Sequence, residues 1–409
     1  MGKKKPFTPP PDSPAWPNQT AFRVAERTWK RRDLPPELLA SIIDPGGNPS
    51  PAVQANRLVP ITLAYNPPTL SNLFGPSPET DSNGRATAYS APEIPGLILI
   101  PGLITPEGQV QVVKASLKDY TALPNVTNLD THWDIPSRGL WHMYEQSLHS
   151  EERQKDEALI PMRHDGTVEG AKSAAAAFRV GKVANGSSDK DGENALKSKT
   201  TSTSGIEVPD TTSTQIIIDL PTTDTQNLKA ITASEALKRL RWTSLGFQYN
   251  WSTKEYHLDR RPPFPPLIDE LATQVVKSVE NITGYNAERW ISEAGIINFY
   301  QERDALMAHQ DRSEINTEAP LISFSFGNSS VFLIGSENRD DTPIPILLRS
   351  GDVLVMHGNS RRAYHALPRI LGGTCPDYLT PESVNDAQWR AFYNYLKDAR
   401  INVNVRQVY

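Results

Sequence analysis

The stretch Leu321-Ile322-Ser323-Phe324-Ser325-Phe326-Gly327-Asn328-Ser329-Ser330-Val331-Phe332-Leu333-Ile334 decides the fold class. Apolar and small polar residues alternate up to Phe326, Gly327-Asn328 supplies a turn, and a second apolar run follows. A period of two marks strands rather than a helix. Residues 344–348 and 353–356 flank the turn Arg349-Ser350-Gly351-Asp352 in the same manner, and residues 291–300 read as another strand. Residues 265–280 and 386–399 read as helices, the second amphipathic through Trp389, Phe392, Tyr393 and Leu396. Many short strands joined by turns predict an α+β chain around a jelly roll, the double-stranded β-helix, with flanking helices.

Working outward, residues 291–409 form the expected core and residues 232–290 a segment leading into it, with a short helix near 233–240. Residues 151–231 read as an insertion. Within it, 181–225 is dominated by Ser, Thr, Asp, Lys and Gly, too polar to bury a core, and is expected to be disordered. Ile216-Ile217-Ile218 is a weak strand candidate. Residues 92–150 return to core chemistry. They hold the apolar run 96–100 between prolines and a helix opening at Thr105, a suitable N-cap. Residues 1–91 are Pro-rich and read as mostly irregular, with short helices at 21–30 and 36–43.

The 409 residues carry a net charge of -5, which does not advertise nucleic-acid binding by itself. Basic residues cluster near the N-terminus and again at Arg361, Arg362, Arg369, Arg400 and Arg406. The single cysteine, Cys375, leaves no internal disulfide partner and no cysteine zinc cluster. No run approaches membrane-spanning length, and no apolar signal core opens the chain.

Chemistry concentrates in the second half. His309-Gln310-Asp311 and the later His365 make a two-His, one-carboxylate set, which holds Fe(II) by one face and leaves positions open for substrate and O2. His257-Leu258-Asp259 also fits the first element but precedes Arg260-Arg261-Pro262-Pro263, a poor frame for a rigid ligand. His357 competes with His365 for the second position; His365 is preferred because it opens a strand after a turn. Arg400-Ile401-Asn402-Val403-Asn404-Val405-Arg406 alternates, so Arg400, Asn402 and Arg406 share one strand face. Two arginines roughly 20 Å apart along a strand can bracket a five-carbon diacid, and the planar guanidinium binds carboxylate bidentately. Asn298 and Tyr300 likewise share a face, shortly before His309. A diacid beside Fe(II) points to 2-oxoglutarate.

Together these residues resemble the AlkB family of Fe(II)/2-oxoglutarate dioxygenases. That family shows N-x-Y, H-x-D, S-R-x-x-x-H and R-x-N-x-x-x-R, matched by Asn298/Tyr300, His309/Asp311, Ser360-Arg361…His365 and Arg400/Asn402/Arg406. Arg241-Trp242-Thr243-Ser244-Leu245-Gly246-Phe247 and Pro124-Asn125-Val126-Thr127 extend the likeness toward the eukaryotic AlkB homologue 1 branch. The resemblance implies iron on His309, Asp311 and His365. It implies 2-oxoglutarate on Asn298, Tyr300, Arg400, Asn402 and Arg406, with Arg400 and Tyr300 at the far carboxylate. It also implies an N-terminal nucleotide-recognition lid in which Trp242 and Tyr249 contact an extruded base, aided by Ser313 and Arg361. Ser313 stands where the bacterial relative has an acidic residue, so base preference does not carry over.

The activity so implied is oxidative demethylation of N-methylated bases in tRNA or DNA, releasing formaldehyde, succinate and CO2. Two other readings stay open: a 2-oxoglutarate-dependent protein hydroxylase or demethylase, and a non-catalytic nucleic-acid-binding module. Nucleus and cytoplasm are both compatible with the sequence, and the Arg-bearing N-terminus adds the mitochondrion.

Overall fold

The computed structural model describes residues 10–31, 33–46, 57–64, 73–74, 87–149, 159–163, 230–250, 255–257 and 261–409. The segment 181–225, the Ile216–Ile218 strand candidate and the Leu258-Asp259 half of the rival motif lie outside the described residues.

The helices are α1 (Ala21–Trp29), α2 (Pro36–Ala40), α3 (Pro106–Lys118), α4 (Leu140–His149), α5 (Ala233–Arg239), α6 (Pro266–Ser278), α7 (Glu280–Thr283) and α8 (Trp389–Leu396). The strands before the core are β1 (Val59–Thr62), β2 (Thr87–Ser90), β3 (Leu97–Ile100), β4 (Val126–Thr127), β5 (Leu159–Pro161), β6 (Ala230–Thr232), β7 (Trp242–Gly246), β8 (Gln248–Asn250) and β9 (Glu255–His257). The core strands are β10 (Ala294–Gln301), β11 (Leu306–His309), β12 (Leu321–Gly327), β13 (Ser330–Ile334), β14 (Ile344–Leu348), β15 (Val353–Met356), β16 (His365–Ile370) and β17 (Ala399–Arg406).

Two antiparallel sheets carry the architecture. The larger has nine strands in the order β1-β2-β3-β15-β12-β17-β10-β7-β4, and the smaller runs β11-β16-β13-β14. Leu97, Leu99, Leu354 and Met356 of the large sheet join Phe332, Ile334, Ile344 and Ile346 of the small one in a single buried cluster. On β17 the odd-numbered residues Ile401, Val403 and Val405 are fully buried away from the cavity side, and α8 lies against that strand while α6 lies against β12. Each such side chain contributes about 1.5–3 kcal/mol of burial.

The turn expected at Gly327-Asn328 is present and forms a corner between sheets, because β12 belongs to the large sheet and β13 to the small one. Gly327 has φ +84, and a Cβ there would stand 2.7 Å from the Ala399 carbonyl oxygen. Asn328 Nδ2 donates to the carbonyls of Leu396, Lys397 and Ala399, while its Oδ1 accepts from Thr374 N and Cys375 N. The Leu396 and Lys397 carbonyls lie at the end of α8, where no helical partner remains, and the Ala399 carbonyl opens β17. Capturing them helps stop the helix at Leu396, short of the expected residue 399, so that β17 can begin at Ala399. The turn 349–352 makes the same kind of crossing, from β14 to β15.

The N-terminal region holds more regular structure than its prolines imply. β1 and β2 extend the large sheet, with Pro60 tolerated because β1 is its edge strand. α1 packs Phe22 and Trp29 against Val331, Leu333 and Ala366 of the small sheet. Glu26, almost fully buried, accepts a hydrogen bond from Ala308 N at 2.8 Å and so ties down β11, an edge strand of that sheet.

A second compact unit comprises Thr131–Asp134 and Ile160–Ile231. Among its described residues Trp133 bridges Met162, and Arg163 Nη2 pairs with Asp134 at 3.0 Å.

Candidate metal and co-substrate site

β11 and β16 are antiparallel neighbours, and their register makes His309 and His365 direct partners. Both side chains therefore emerge side by side, with ring centroids 4.3 Å apart. Asp311 lies two residues beyond the end of β11. Its Oδ1 is 4.0 Å from His309 Nε2 and its Oδ2 is 3.7 Å from His365 Nε2. One ligand atom from each of the three lies within 4.8 Å of the others. His309 Nδ1 donates to the Met307 carbonyl at 2.9 Å, and His365 Nδ1 donates to the Ala363 carbonyl at 3.1 Å. Each backbone acceptor fixes the tautomer that leaves the Nε2 lone pair free for a metal. His357 is not in this cluster; its backbone N–H bonds to the Gly96 carbonyl, at the start of β3.

The surroundings of Asp311 and His365 suit coordination, which needs an ionised carboxylate and a neutral imidazole. Burial works against charge on Asp311, but Arg406, His365, His309 and Arg361 outweigh it and hold the carboxyl well below its usual range. Burial, reinforced by His309, pushes His365 down to about 4.

Behind Asp311 lies a buried ionic network. Arg406 Nη2 meets Asp311 Oδ2 at 2.9 Å, and its Nε stands 3.4 Å from Glu314 Oε1. Arg361 reaches Glu314 Oε2 at 3.3 Å and also donates to the carbonyls of Ala319 and Asp311. Arg361, expected at the substrate, is buried here and does not line the cavity, because these acceptors occupy its guanidinium. Tyr256 completes the network, donating to Glu314 Oε1 at 2.9 Å and accepting from Arg406 Nη1 at 3.0 Å. Sequence reading assigned no role to Glu314 or Tyr256. The proximity of Glu314 to the H-x-D element was the only available signal.

A cavity of about 350 Å³ opens beside the triad, between the two sheets. Asn298, Tyr300, Arg400, Asn402 and Arg406 all line it, as their shared strand faces predicted. The ladder makes Asn298 the partner of Asn402, and Tyr300 the partner of Arg400. Asn402 Nδ2 donates to Ser323 Oγ and to the Phe324 carbonyl, both at 2.8 Å, which fixes its orientation. Arg400 is 1% exposed, yet only its Nη2 has a hydrogen-bond partner, Ser325 Oγ at 2.9 Å; its Nε and Nη1 have none. Burial lowers its pKa to about 10, so it remains a cation at neutral pH. The Tyr300 ring lies 5.7 Å from this guanidinium, and burial raises the Tyr300 hydroxyl to about 12, keeping it a hydrogen-bond donor. A buried cation with two unmet donors costs free energy unless an anion arrives. The donor set fits a carboxylate, and the triad fits Fe(II).

At the cavity mouth, Tyr249 and Ser313 both contribute to the lining and share a hydrogen bond of 3.1 Å. Trp242 is half-buried on β7 beside Asn298 of β10 and is not among the lining residues.

Comparison with known proteins agrees with this geometry. The family model described as the 2OG-Fe(II) oxygenase superfamily matches residues 217–406. The nucleic acid dioxygenase ALKBH1 of Mus musculus is 28% identical over 96% of this chain and 85% of its own length. The N6-methyladenosine RNA demethylase ALKBH of Cryphonectria parasitica is 33% identical over 42% of this chain and 76% of its own. The chain belongs to the AlkB family of 2OG-Fe(II) oxygenases. The tRNA demethylase abh1 of Schizosaccharomyces pombe is 41% identical over 42% of this chain, which spans 53% of that relative. Enzymes of this family use Fe(II), 2-oxoglutarate and O2, and His309, Asp311 and His365 form the matching metal site.

Proposed function

We propose that this AlkB-family oxygenase oxidatively demethylates N-methylated bases in nucleic acid, tRNA or DNA. One observation carries the reading: the His-Asp-His triad and the half-satisfied Arg400 open on a single cavity with an aromatic side chain, Tyr249, at its mouth. The curated names of the relatives, tRNA demethylase and N6-methyladenosine RNA demethylase, support the substrate class.

With Fe(II), 2-oxoglutarate and O2 in place, the site supplies the oxidation that turns an N-methyl group into an N-hydroxymethyl group, lost as formaldehyde while 2-oxoglutarate becomes succinate and CO2. The protein's residues bind and orient. Arg400 and Tyr300 receive the far carboxylate, and Asn298, Asn402 and Arg406 line the remainder of the co-substrate path. The carbonyls of Met307 and Ala363 hold both imidazoles in the coordinating tautomer. The two sheets act as a jelly-roll frame, with the β8–β9 hairpin as a nucleotide-recognition lid. Tyr249 on that hairpin offers a face on which an extruded base stacks.

The test is incubation with Fe(II), 2-oxoglutarate and either a tRNA stem-loop carrying N1-methyladenine or a DNA strand carrying N6-methyladenine, with mass spectrometry of methyl loss and succinate. Methyl loss from either strand supports the reading and names the nucleic acid. Succinate without methyl loss from either would redirect it toward protein substrates.

A further inference from the structure

Tyr256 stands outside every motif in the sequence, yet its hydroxyl is buried at the centre of the network behind the metal carboxylate. It donates to Glu314 Oε1 at 2.9 Å and accepts from Arg406 Nη1 at 3.0 Å, while the other terminal nitrogen of Arg406 meets Asp311 Oδ2 at 2.9 Å. Its ring packs edge-on against Tyr249, with centroids 5.1 Å apart. β8 and β9 are paired with Tyr249 opposite Tyr256, so the two tyrosines form one cross-strand pair. Tyr249 in turn bonds to Ser313, between Asp311 and Glu314. A continuous set of contacts thus runs from the metal carboxylate through Arg406 and Tyr256 to the aromatic at the cavity mouth.

We propose that Tyr256 is a positioning residue that couples co-substrate binding to the β8–β9 hairpin. Its hydroxyl holds the Arg406 guanidinium in the orientation that meets 2-oxoglutarate. Reciprocally, an Arg406 fixed by bound 2-oxoglutarate fixes Tyr256, and with it the Tyr249 ring that meets the base. Linkage requires that each ligand tighten the other by the same factor. The second half of this inference rests on the nucleic-acid reading above; the first half does not.

The test uses Tyr256→Phe in the full-length protein loaded with Mn(II), which binds without turnover. Tyr256→Phe keeps the ring and its contact with Tyr249 and removes only the hydroxyl. Titration of 2-oxoglutarate, followed by tryptophan fluorescence, should show roughly five-fold or greater weakening, with Mn(II) affinity and thermal midpoint close to wild type. A role confined to packing would instead move the thermal midpoint while leaving 2-oxoglutarate affinity unchanged, and that result overturns the proposal. If Tyr256→Phe fails to fold, Glu314→Gln, which weakens the other partner of the same hydroxyl, should weaken 2-oxoglutarate binding likewise; its thermal midpoint falls too, because Arg361 and Arg406 lose a buried carboxylate, so the 2-oxoglutarate affinity alone decides. For the hairpin arm, anisotropy of a methylated oligonucleotide is measured with and without 2-oxoglutarate. Wild type should bind it more tightly with 2-oxoglutarate present, and Tyr256→Phe should bind it equally in both. Retained coupling in Tyr256→Phe, or binding without coupling in wild type, overturns that half. No oligonucleotide binding by wild type under either condition would count against the nucleic-acid reading instead, leaving the 2-oxoglutarate titration to decide the role of Tyr256.

Discussion

His309 and His365 are direct partners across the β11–β16 ladder, so a single strand register sets the distance between two metal ligands. A one-residue slip would turn one imidazole to the opposite face of the sheet. The site is therefore as well defined as the pairing of β11, an edge strand held on one side by β16 and pinned at Ala308 by the Glu26 carboxylate.

Replacing His309, Asp311 or His365 by Ala should lower turnover at least about 100-fold and weaken Mn(II) binding measured by electron paramagnetic resonance. Asp311→Ala should also lower stability, because Arg406 loses its closest carboxylate while staying buried. Metal affinity equal to wild type in any of the three would remove that residue from the ligand set.

Arg400→Met should abolish the thermal stabilisation that 2-oxoglutarate gives the wild-type protein. At one hundred times Kd that stabilisation amounts to about 2.7 kcal/mol. Without ligand, the variant should be at least as stable as wild type, since it replaces a buried cation with unmet donors by an apolar chain. A ligand-induced shift of wild-type size in Arg400→Met would place the co-substrate elsewhere.

Much of this site was legible in the sequence because its parts obey a period of two. The alternation in 400–406 put Arg400, Asn402 and Arg406 on one face, and β17 presents them so to the cavity. Asn298 and Tyr300 followed from the same rule. What stayed hidden depends on contacts between residues distant in sequence. The Met307 and Ala363 carbonyls that orient the histidines carry no sequence signature, since every residue has a carbonyl. Arg361 looks like any basic residue near a motif, and only the fold shows it turned inward to Glu314. The turn between β12 and β13 was legible, but local alternation cannot report that two successive strands join different sheets. β1 and β2 were missed because each is four residues long and lies among prolines.

Asn328→Ala should destabilise the protein by about 3 kcal/mol in chemical denaturation, because five backbone groups at the β12–β13 corner lose a partner. A change under about 1 kcal/mol would mean that solvent replaces those bonds and that the corner is held by other contacts.

Asp352 gives a pH dependence of stability with a definite sign. Its Oδ1 accepts from Gly102 N and its Oδ2 from Arg349 N, yet burial raises its pKa to about 6. Between about pH 4 and 6 the folded protein keeps a proton that the unfolded chain has released. The stabilisation linked to that proton is present below about pH 4 and is lost as pH rises through 6, by up to about 3 kcal/mol. Asn cannot titrate, so the stability deficit of Asp352→Asn should shrink between pH 4 and pH 7. A deficit that grows over that range would show that the two N–H donors outweigh burial.

The most direct measurement is the ratio of formaldehyde to succinate formed by the Fe(II)-loaded protein with a methylated oligonucleotide. One formaldehyde per succinate is expected, with both products lost in Asp311→Ala and succinate falling to a low basal rate on the unmethylated strand. Succinate formed at the same rate on methylated and unmethylated strands, without formaldehyde, would contradict a demethylase of nucleic acid.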